Sequence, residues 1–434
     1  MKGVIMERYL DEIIKTTQKL IAFNSIQTEP LENMPFGKAN YDCLETCLDV
    51  CKNLGFTVKN LDGYAGYAEI GEGESFGILA HLDVVPSGDG WSVDPFSGEI
   101  IDGVLYGRGV LDDKGPIVCC IYAIKKLIDE GKMPNKKIRI IFGCNEESGW
   151  ECIKHYNKVE KMPEIGFSPD ADFPVIYLEK GIAHYKVSMP LDVVNIRGGL
   201  RVNMVPDSAS LTVKYSKEYE NYLKAQNAVY TTRNGLLTIE TVGKSAHGST
   251  PEQGENAVIK LFELSNIPSL ISLAEKFKKT DGTNLNMALY DEESKNLTVN
   301  LGAVSYENGV IEMLVDIRYP ASQKESVVTS LLQENLSSCT VELYSDQAPI
   351  HVDKNSMLVK TLLSAYNKVT GENAEPIAIG GGTYARALKQ GVAFGPIFPG
   401  QESTIHQKDE RVKIDDLLEM SKIYYEAIKN LCFD

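Results

Sequence analysis

The sequence predicts an α/β protein whose main domain is divided by an inserted α+β domain. Strand-like and helix-like segments alternate up to about residue 180 and again after about residue 354. Between these regions, alternating apolar and polar residues indicate half-buried strands with helices among them. A chain of 434 residues is also too long for one hydrophobic core. We therefore expect a central mixed sheet flanked by helices, in domain segments 1–180, 181–353 and 354–434.

The first segment places polar residues at the ends of predicted strands. Two amphipathic helices are predicted at 6–22 and 39–54, and the strand FGILAH then runs directly into His81. A helix is predicted at 114–130, and the buried strand KKIRIIFGCN after it ends at Glu146. Because ligands of α/β sheets bind at the carboxyl ends of the strands, we expect a site at these residues.

The insert and the final segment differ in pattern. Helices of the insert are predicted at 217–228, 255–276 and 323–335, between strands such as SASLTVKYS and GVIEMLVDIRYP. After residue 354, the helix NSMLVKTLLSAYNKVTG, the strand EPIAI and the helix KIDDLLEMSKIYYEAIKNL restore the α/β pattern. This return predicts a split catalytic domain.

Charge and cysteine content narrow the class of protein. Lys and Arg number 44 against 60 Asp and Glu, and the net charge of −16 opposes binding to nucleic acid or to an anionic membrane. Cys43, Cys47 and Cys51 share one helical face, which we interpret as a buried core stripe rather than a redox or soft-metal cluster. The N-terminus lacks the uninterrupted apolar stretch of a signal peptide, and the run GPIVCCIYAI is too short to span a bilayer. With reduced thiols, these features predict a cytoplasmic protein.

Five short islands carry side chains that bind hard or borderline metal ions, and none of them contributes a cysteine ligand. They are GILAHLDVVPSGDGW (His81, Asp83), GRGVLDDKG (Asp112, Asp113), GCNEESGW (Glu146, Glu147), SPDADFP (Asp170) and STIHQKDE (His406). Each island alone is more often an ordinary surface or core segment. Together they predict a hydrolase site for two metal ions.

A two-metal site needs one ligand that holds both cations. A carboxylate does this most readily, with one oxygen on each metal. Two histidines and three carboxylates supply one histidine and one acid to each cation, plus a shared aspartate. Two divalent cations and three carboxylates leave one positive charge, which a hydroxide neutralises.

The neighbouring acids have other uses. Asp83 follows His81 by two positions, so on an extended segment its carboxylate can accept the imidazole N–H and fix the tautomer. Glu146 and Glu147 would point in opposite directions on a strand and can converge only where the strand has ended. One of them can then bind metal while the other acts as general base.

The longer motifs resemble a known family. The chain resembles the dinuclear metallopeptidase family of aminoacylase, carboxypeptidase G and succinyl-diaminopimelate desuccinylase, and most of all its PepV-type dipeptidase branch. The motifs concerned are HLDVVPSGDGW, DPFSGEIIDGVLYGRGVLDDKGP, NEESGW, SPDADFPVIYLEKG, DIRYP, GGGTYARAL and HQKDE. They extend from residue 81 to about residue 410. The resemblance implies that the insert is a ferredoxin-like α+β lid.

The resemblance also implies two divalent metal ions and their ligands. Zinc is the first expectation, and manganese or cobalt would suit the same donors. One cation would be held by His81 and Asp170, the other by Glu147 and His406, and both by the bridging Asp112.

Four further features follow from the resemblance. Asp170 is preferred to Asp172 because it directly follows Pro169, as in the family pattern. Glu146 would be the general base, and Asp83 would orient its histidine. Family members commonly have a cis peptide bond after the bridging acid.

The lid and the glycine-rich segment would contact the substrate. His247 in GKSAHGSTPEQGENA would donate a hydrogen bond to the oxyanion of the tetrahedral intermediate. A substrate carboxylate would be bound by Asn203 in RVNMVPD, Arg318 in DIRYP, and Gly382, Tyr384 and Arg386 in GGGTYARAL. A plain ion pair is the alternative interpretation of Arg318 and of Arg386.

We therefore expect a metal-dependent dipeptidase for small peptides with a free C-terminal carboxylate. One alternative is a deacylase of N-acyl amino acids, of the succinyl-diaminopimelate desuccinylase or acetylornithine deacetylase type. The other is a non-enzyme, a metal-binding or regulatory relative of the family. Beyond the small peptide substrate, no nucleic acid or membrane is expected as a partner. In the PepV branch the larger lid closes the site of a single chain, so a monomer is expected, with a homodimer as the alternative.

Overall fold

A computed structural model describes residues 6–434 and contains two compact units. The first unit comprises the chain up to Tyr177, Val352–Ile377 and Thr383–Asp434. The second unit comprises Leu178–His351 and Ala378–Gly382. The sequence predicted domain boundaries at 180/181 and 353/354. It did not predict that residues 378–382 belong to the second unit.

The α-helices and β-strands of both units follow in chain order. The helices are α1 Leu10–Ile21, α2 Lys38–Asn53, α3 Lys114–Asp129, α4 Glu151–Val159, α5 Lys217–Ala225, α6 Ala257–Leu264, α7 Pro268–Phe277, α8 Glu325–Asn335, α9 Met357–Thr370 and α10 Ile414–Cys432. The strands up to the second unit are β1 Thr57–Leu61, β2 Ala65–Ile70, β3 Ser75–His81, β4 Ile100–Ile101, β5 Val104–Tyr106, β6 Lys137–Gly143, β7 Ile165–Ser168, β8 Ala171–Asp172 and β9 Ile176–Glu179. The later strands are β10 Gly181–Pro190, β11 Asn195–Gly198, β12 Ser208–Lys214, β13 Tyr230–Arg233, β14 Leu236–Val242, β15 Tyr290–Asp291, β16 Lys295–Asn296, β17 Thr298–Glu307, β18 Val310–Tyr319, β19 Thr340–Gln347, β20 Ile350–His351, β21 Ile377–Ile379, β22 Gln390–Ala393, β23 Pro396–Ile397 and β24 Arg411–Lys413.

The first unit is built on a mixed sheet with the order β1-β2-β6-β3-β7-β22-β9. β3 is parallel to both β6 and β7, whereas β2 is antiparallel to β6. The central strands β3 and β6 are almost entirely buried, as their continuous apolar runs require. Helices α3 and α10 pack against each other beside this sheet. The predicted α/β class is confirmed.

The second unit contains an antiparallel sheet with the order β13-β14-β12-β11-β17-β18-β10-β19. Four of its strands lie side by side in the order β17-β18-β10-β19. β10 comes first of these four along the chain, and it lies between β18 and β19, which come third and fourth. Helices α6 and α7 precede β17, and α8 precedes β19. This is the order of a ferredoxin-like fold, extended by β11 to β14, and the predicted α+β insert is confirmed.

The sequence predicted one long helix in a part of the insert that forms two shorter ones. The region 255–276 forms two helices, α6 and α7, with a break between Ser265 and Pro268. Asn266 has a φ of 51°, in the left-handed region, and Pro268 starts the next helix. Proline lacks the N–H that a continuous helix would need there, so the chain begins a new helix instead.

The cysteine stripe of α2 belongs to the core. Cys43, Cys47 and Cys51 are each fully buried, and every cysteine of the described chain is free. Burial raises the pKa of Cys47 well above its ordinary value, which makes it an unreactive thiol. The interpretation as core residues is confirmed. Within residues 6–434, no helix is both long enough and apolar enough to cross a membrane.

Candidate metal centre

The ligand-bearing loops of the first unit follow neighbouring parallel strands. β3, β6 and β7 have their carboxyl ends at one edge of the sheet. β3 ends at His81, the pair Glu146–Glu147 follows β6, and Asp170 follows β7. The loops before α3 and β24 bring Asp112 and His406 to the same edge.

Asp112 lies between two imidazole rings. Its Oδ1 is 2.8 Å from Nε2 of His81, and its Oδ2 is 2.9 Å from Nε2 of His406. Each carboxylate oxygen thus faces a different histidine, as a bridging ligand requires. Glu147 Oε1 lies 2.9 Å from the same His406 nitrogen, and Asp170 Oδ2 lies 3.7 Å from His81. The structure brings these five residues together in the pairs that the resemblance implies, and their binding of metal stays a prediction.

The orientation of the donor atoms fits a divalent cation. Nδ1 of His81 lies 3.0 Å from the carbonyl oxygen of Asp83, which places the ring hydrogen on Nδ1 and a lone pair on Nε2. Within residues 6–434, Nε2 of His81 and Oδ1 of Asp112 are buried and face each other at 2.8 Å, with no further hydrogen-bond partner. Imidazole and carboxylate donors suit zinc, manganese or cobalt. The donor atoms lie within 4.8 Å of one another in two sets, His81 with Asp112 and Glu147, and His81 with Glu146 and Asp170.

Negative charge is concentrated in this cluster. Burial, reinforced by the charge of Asp112, raises the pKa of Asp170 to about 7. Burial also raises the pKa of Glu146 well above its ordinary value. Burial alone would lower the pKa of His81, but the carboxylate of Asp112 raises it well above its ordinary value. Without cations, the cluster therefore retains protons to limit the repulsion between its acids.

Removing the metal should make stability depend on pH. The raised pKa of Asp170 contributes stability that is complete below pH 4 and is lost as the pH rises through about 7. The raised pKa of His81 acts in the same direction, from pH 6.5 upwards. We expect the Tm of chelator-treated protein to fall as the pH rises from 5 to 8.5. Metal at 1,000 times its Kd should add about 4 kcal/mol to the free energy of unfolding. Thermal unfolding with and without chelator measures the difference; a Tm difference that is constant or shrinks with rising pH contradicts this expectation.

Asp83 contacts both His81 and the turn that carries the two glutamates. Its carboxylate accepts the backbone N–H of Glu146 at 3.0 Å and that of Glu147 at 3.1 Å. The same carboxylate is 3.5 Å from Nδ1 of His81, farther than the carbonyl oxygen of Asp83 itself. The carbonyl oxygen and the carboxylate of Asp83 therefore both lie near Nδ1 of His81, and orientation of the imidazole by the Asp83 side chain stays a prediction. The side chain also holds the glutamate turn, a contact that the sequence interpretation did not include.

The two glutamates converge because the strand before them has ended. β6 stops at Gly143, and the turn that follows is closed by a hydrogen bond from the N–H of Trp150 to the carbonyl of Asn145, 2.8 Å long. The indole N–H of Trp150 also donates to Oε1 of Glu146 at 3.1 Å. This turn supplies the condition under which the sequence allowed Glu146 and Glu147 to share a site.

Tyr384 packs beneath the cluster. It is fully buried, with its ring 6.1 Å from that of His81 and 5.2 Å from that of Trp150. Its hydroxyl lies 3.2 Å from Sγ of Cys152. These contacts indicate that Tyr384 supports the ring of His81. A contact between Tyr384 and substrate stays a prediction. Arg386, in the same short helical turn, is half-buried.

His247 and Asn203 are neighbours in the second unit. Residues 204 and 247 form a β-bridge, and the N–H of Gly248 donates to the carbonyl of Asn203 at 2.7 Å. His247 is exposed, and its Nδ1 accepts the N–H of Ser249 at 3.2 Å. The hydrogen of the neutral ring is then on Nε2, so this edge can donate. The predicted role of His247 at an oxyanion remains a prediction.

Arg318 is held by an acid of its own strand. Its Nε lies 2.7 Å from Oδ1 of Asp316 and its Nη2 lies 2.9 Å from Oδ2. Its Nη1 lies 3.4 Å from the carbonyl oxygen of Gly380. The ion pair considered from sequence is therefore present, and binding of a substrate carboxylate by Arg318 stays a prediction. Gly382 is exposed and ends the 378–382 segment of this unit.

Two buried residues of the first unit were missed by the sequence interpretation. Arg108 precedes the LDD motif, and Glu410 ends the HQKDE motif. Their side chains form an ion pair, with Nη1 of Arg108 2.6 Å from Oε2 of Glu410. The available signal was that both charged residues lie inside motifs whose other members were assigned roles.

Comparison with known proteins decides the family. A family model described as Peptidase family M20/M25/M40 matches residues 77–430. The chain belongs to this peptidase family. Membership makes the protein a metallopeptidase, a hydrolase that depends on divalent metal ions.

Relatives of this M20 peptidase cover nearly all of its length. The protein named "Putative dipeptidase YtjP" of Bacillus subtilis is 40% identical over 454 residues, covering 98% of each chain. The protein named "Putative dipeptidase" of Staphylococcus epidermidis is 35% identical, again covering 98% of each chain. Among solved structures, human carnosine dipeptidase 1 matches with a TM-score of 0.60 and 16% identity, over 98% of this chain and 97% of that one. The dipeptidase Dug1p of Saccharomyces cerevisiae matches with 0.61 and 16%, over 98% and 96%. At these identities the two structures support the fold alone.

Proposed function

We propose that this M20 peptidase is a dipeptidase that uses two divalent cations to hydrolyse small peptides with a free C-terminal carboxylate. The observation that carries the proposal is Asp112 between two histidines, with one carboxylate oxygen toward each Nε2. The relatives named as dipeptidases support the substrate class.

The proposed cation ligands are the five residues of the cluster. Divalent cations at such a site lower the pKa of water and polarise a peptide carbonyl. We propose zinc, with manganese or cobalt as alternatives that the same donors accept. The ligands are His81, Asp112, Glu147, Asp170 and His406.

Glu146 is proposed as the general base. Its carboxylate accepts a proton from the attacking water and passes it to the leaving amine. Burial raises the pKa of Glu146, which suits a group that must hold a proton near neutral pH. The hydrogen bond from Trp150 to Oε1 orients the carboxylate. Asp83 supports the same turn through the N–H of Glu146.

Binding of the substrate carboxylate is proposed for the second unit and the glycine-rich segment. A guanidinium matches a carboxylate because its N–H groups lie in one plane. A clamp on the terminal carboxylate would limit the length of the peptide. The residues proposed are Asn203, Arg318, Gly382, Tyr384 and Arg386.

The proposal is tested by metal analysis together with a substrate panel. Purified protein is depleted of metal, reloaded with zinc, manganese or cobalt, and assayed on dipeptides, tripeptides, N-acetyl amino acids and N-succinyl amino acids. We expect about two equivalents of metal and fastest hydrolysis of dipeptides. Preferential hydrolysis of acyl amino acids would show a deacylase instead, and bound metal without hydrolysis of any amide would refute the function.

His247 is expected to affect the chemical step rather than binding. Loss of one donor to an oxyanion typically lowers kcat by about 10²–10³-fold. We therefore expect His247→Ala to lower kcat by about this factor, with a smaller change in KM. Steady-state kinetics on the preferred dipeptide measures both constants. His351→Ala is the matched control, because exposed His351 lies 3.0 Å from Glu293 and has no proposed role; an unchanged kcat for His247→Ala would remove the residue from the mechanism.

We further propose that the protein acts as a cytoplasmic monomer without nucleic-acid or membrane partners. Nine free cysteines support a reducing compartment. The net charge of −16 opposes anionic partners. Light scattering coupled to size exclusion, at concentrations used for the assay, tests the monomer against a homodimer.

A further inference from the structure

The carboxylate of Glu410 accepts hydrogen bonds from the loop that carries Asp112. Its Oε2 accepts from the N–H of Gly109 at 3.1 Å, in addition to Arg108. Its Oε1 accepts from the N–H of Leu111 at 2.9 Å and from the N–H of Asp112 at 3.3 Å. Glu410 is fully buried, so these donors replace the water that its charge would otherwise require.

Glu410 also belongs to the loop that carries the second histidine. It lies four residues after His406, and its carbonyl oxygen accepts the N–H of Gly107 at 2.9 Å. His406 and Asp409 have φ values of 61° and 56°, in the left-handed region that non-glycine residues rarely adopt. Such a backbone persists when surrounding contacts hold it, and Glu410 anchors the end of this loop.

Arg108 extends the connection to the loop that follows His81. Arg108 is 1% exposed, and its Nη2 lies 3.5 Å and 3.4 Å from the carbonyl oxygens of Pro86 and Ser87. It also lies 5.3 Å from the ring centroid of Trp91. Three ligand-bearing loops of the first unit therefore meet at one buried ion pair.

We infer that Glu410 is a positioning residue of the metal centre. It joins the backbone of Asp112 to the loop of His406 and thereby sets how the bridging carboxylate faces the two histidines. A carboxylate can bridge two cations only if both of its oxygens are placed correctly, so a small shift of either loop should weaken metal binding. This inference rests on the proposed two-cation function.

The test compares Glu410→Gln with the control Glu69→Gln. Glutamine has nearly the same size, but its amide places an NH2 group against N–H donors and keeps only one acceptor oxygen. The control removes the charge of another acid paired with an arginine of the first unit, because Glu69 Oε2 lies 2.7 Å from Nη2 of Arg139, away from the ligand loops. Zinc affinity is measured by competition with a chromophoric chelator, and kcat, KM and the Tm of the metal-free protein are measured beside it.

We expect Glu410→Gln to weaken zinc binding by about 10–100-fold and to lower kcat more than KM, whereas Glu69→Gln changes only Tm. Zinc affinity and kcat equal to wild type in Glu410→Gln would overturn the inference. Equal losses of zinc affinity in both variants would also overturn it, because the effect would then be general destabilisation.

A second variant decides the case if Glu410→Gln does not fold. Arg108→Lys keeps a positive charge beside Glu410 but loses the planar fork and its contacts with Pro86 and Ser87. We expect Arg108→Lys to lose less zinc affinity than the loss of about 10–100-fold expected for Glu410→Gln, and to have a lower kcat than wild type. Zinc affinity and kcat equal to wild type would again overturn the inference. Failure of the proposed function is distinguished by the wild-type protein, which would then lack two equivalents of metal or dipeptide hydrolysis whatever the variants do.

Discussion

Replacing Glu146 with glutamine is expected to leave both cations bound while turnover falls roughly 10²–10⁴-fold. The amide cannot take a proton from water, yet it keeps the size of the side chain and its oxygen can still accept the indole N–H of Trp150. Metal content is measured by elemental analysis, and kcat by dipeptide hydrolysis with saturating metal.

Two controls separate the roles of the adjacent glutamates. Glu147→Gln should lose metal, because Glu147 is proposed to bind the same cation as His406, which lies 2.9 Å away. The variant should recover part of its activity at high metal concentration. Glu151→Gln, on the exposed start of α4, should behave as wild type. Loss of metal from Glu146→Gln would instead make Glu146 a ligand, a possibility open to it because its carboxylate lies within 4.8 Å of His81 and Asp170 donor atoms.

Replacing Asp112 with asparagine is expected to remove the bridge and with it at least one cation. An amide offers a single acceptor oxygen, so it cannot place one oxygen toward each histidine. Since the cations contribute several kcal/mol to the transition state, kcat should fall by at least about 10³-fold. Elemental analysis and zinc competition should show fewer than two equivalents bound.

The matched control for this variant is Asp172→Asn. Asp172 is exposed and lies outside both sets of converging donor atoms, although it shares a motif with Asp170. It should keep wild-type metal content and turnover. Retention of two equivalents of metal by Asp112→Asn would contradict the bridging role, and loss of metal from Asp172→Asn would move the ligand assignment from Asp170 to Asp172.

Local pattern was sufficient to predict the classes of structure and where several candidate ligands lie relative to the strands. The apolar run before His81 predicted a buried strand that ends at a polar residue, and β3 ends there. The pair Glu146–Glu147 required a strand that had already ended, and β6 stops at Gly143. The cis peptide bond implied by the resemblance lies between Asp112 and Asp113.

Details that depend on two distant segments were not predicted. The carboxylate of Asp83 bonds to backbone N–H groups more than sixty residues away, at Glu146 and Glu147. Backbone donors are present at every non-proline residue, so no pattern in the sequence marks which of them an acid will accept from. For the same reason the role of Glu410 was not predicted, because its partners at residues 108–112 lie about 300 positions earlier in the chain.

The sequence by itself determined the α/β class, the inserted α+β unit and the residue types of the proposed two-cation site. These depend on periodicity and on side-chain chemistry, which each segment carries locally. Tertiary structure alone decided which oxygen of Asp112 faces which histidine, and that a buried ion pair joins the ligand loops. Such geometry arises only when strands β3, β6 and β7 align their ends and burial forces each charged group to find a partner.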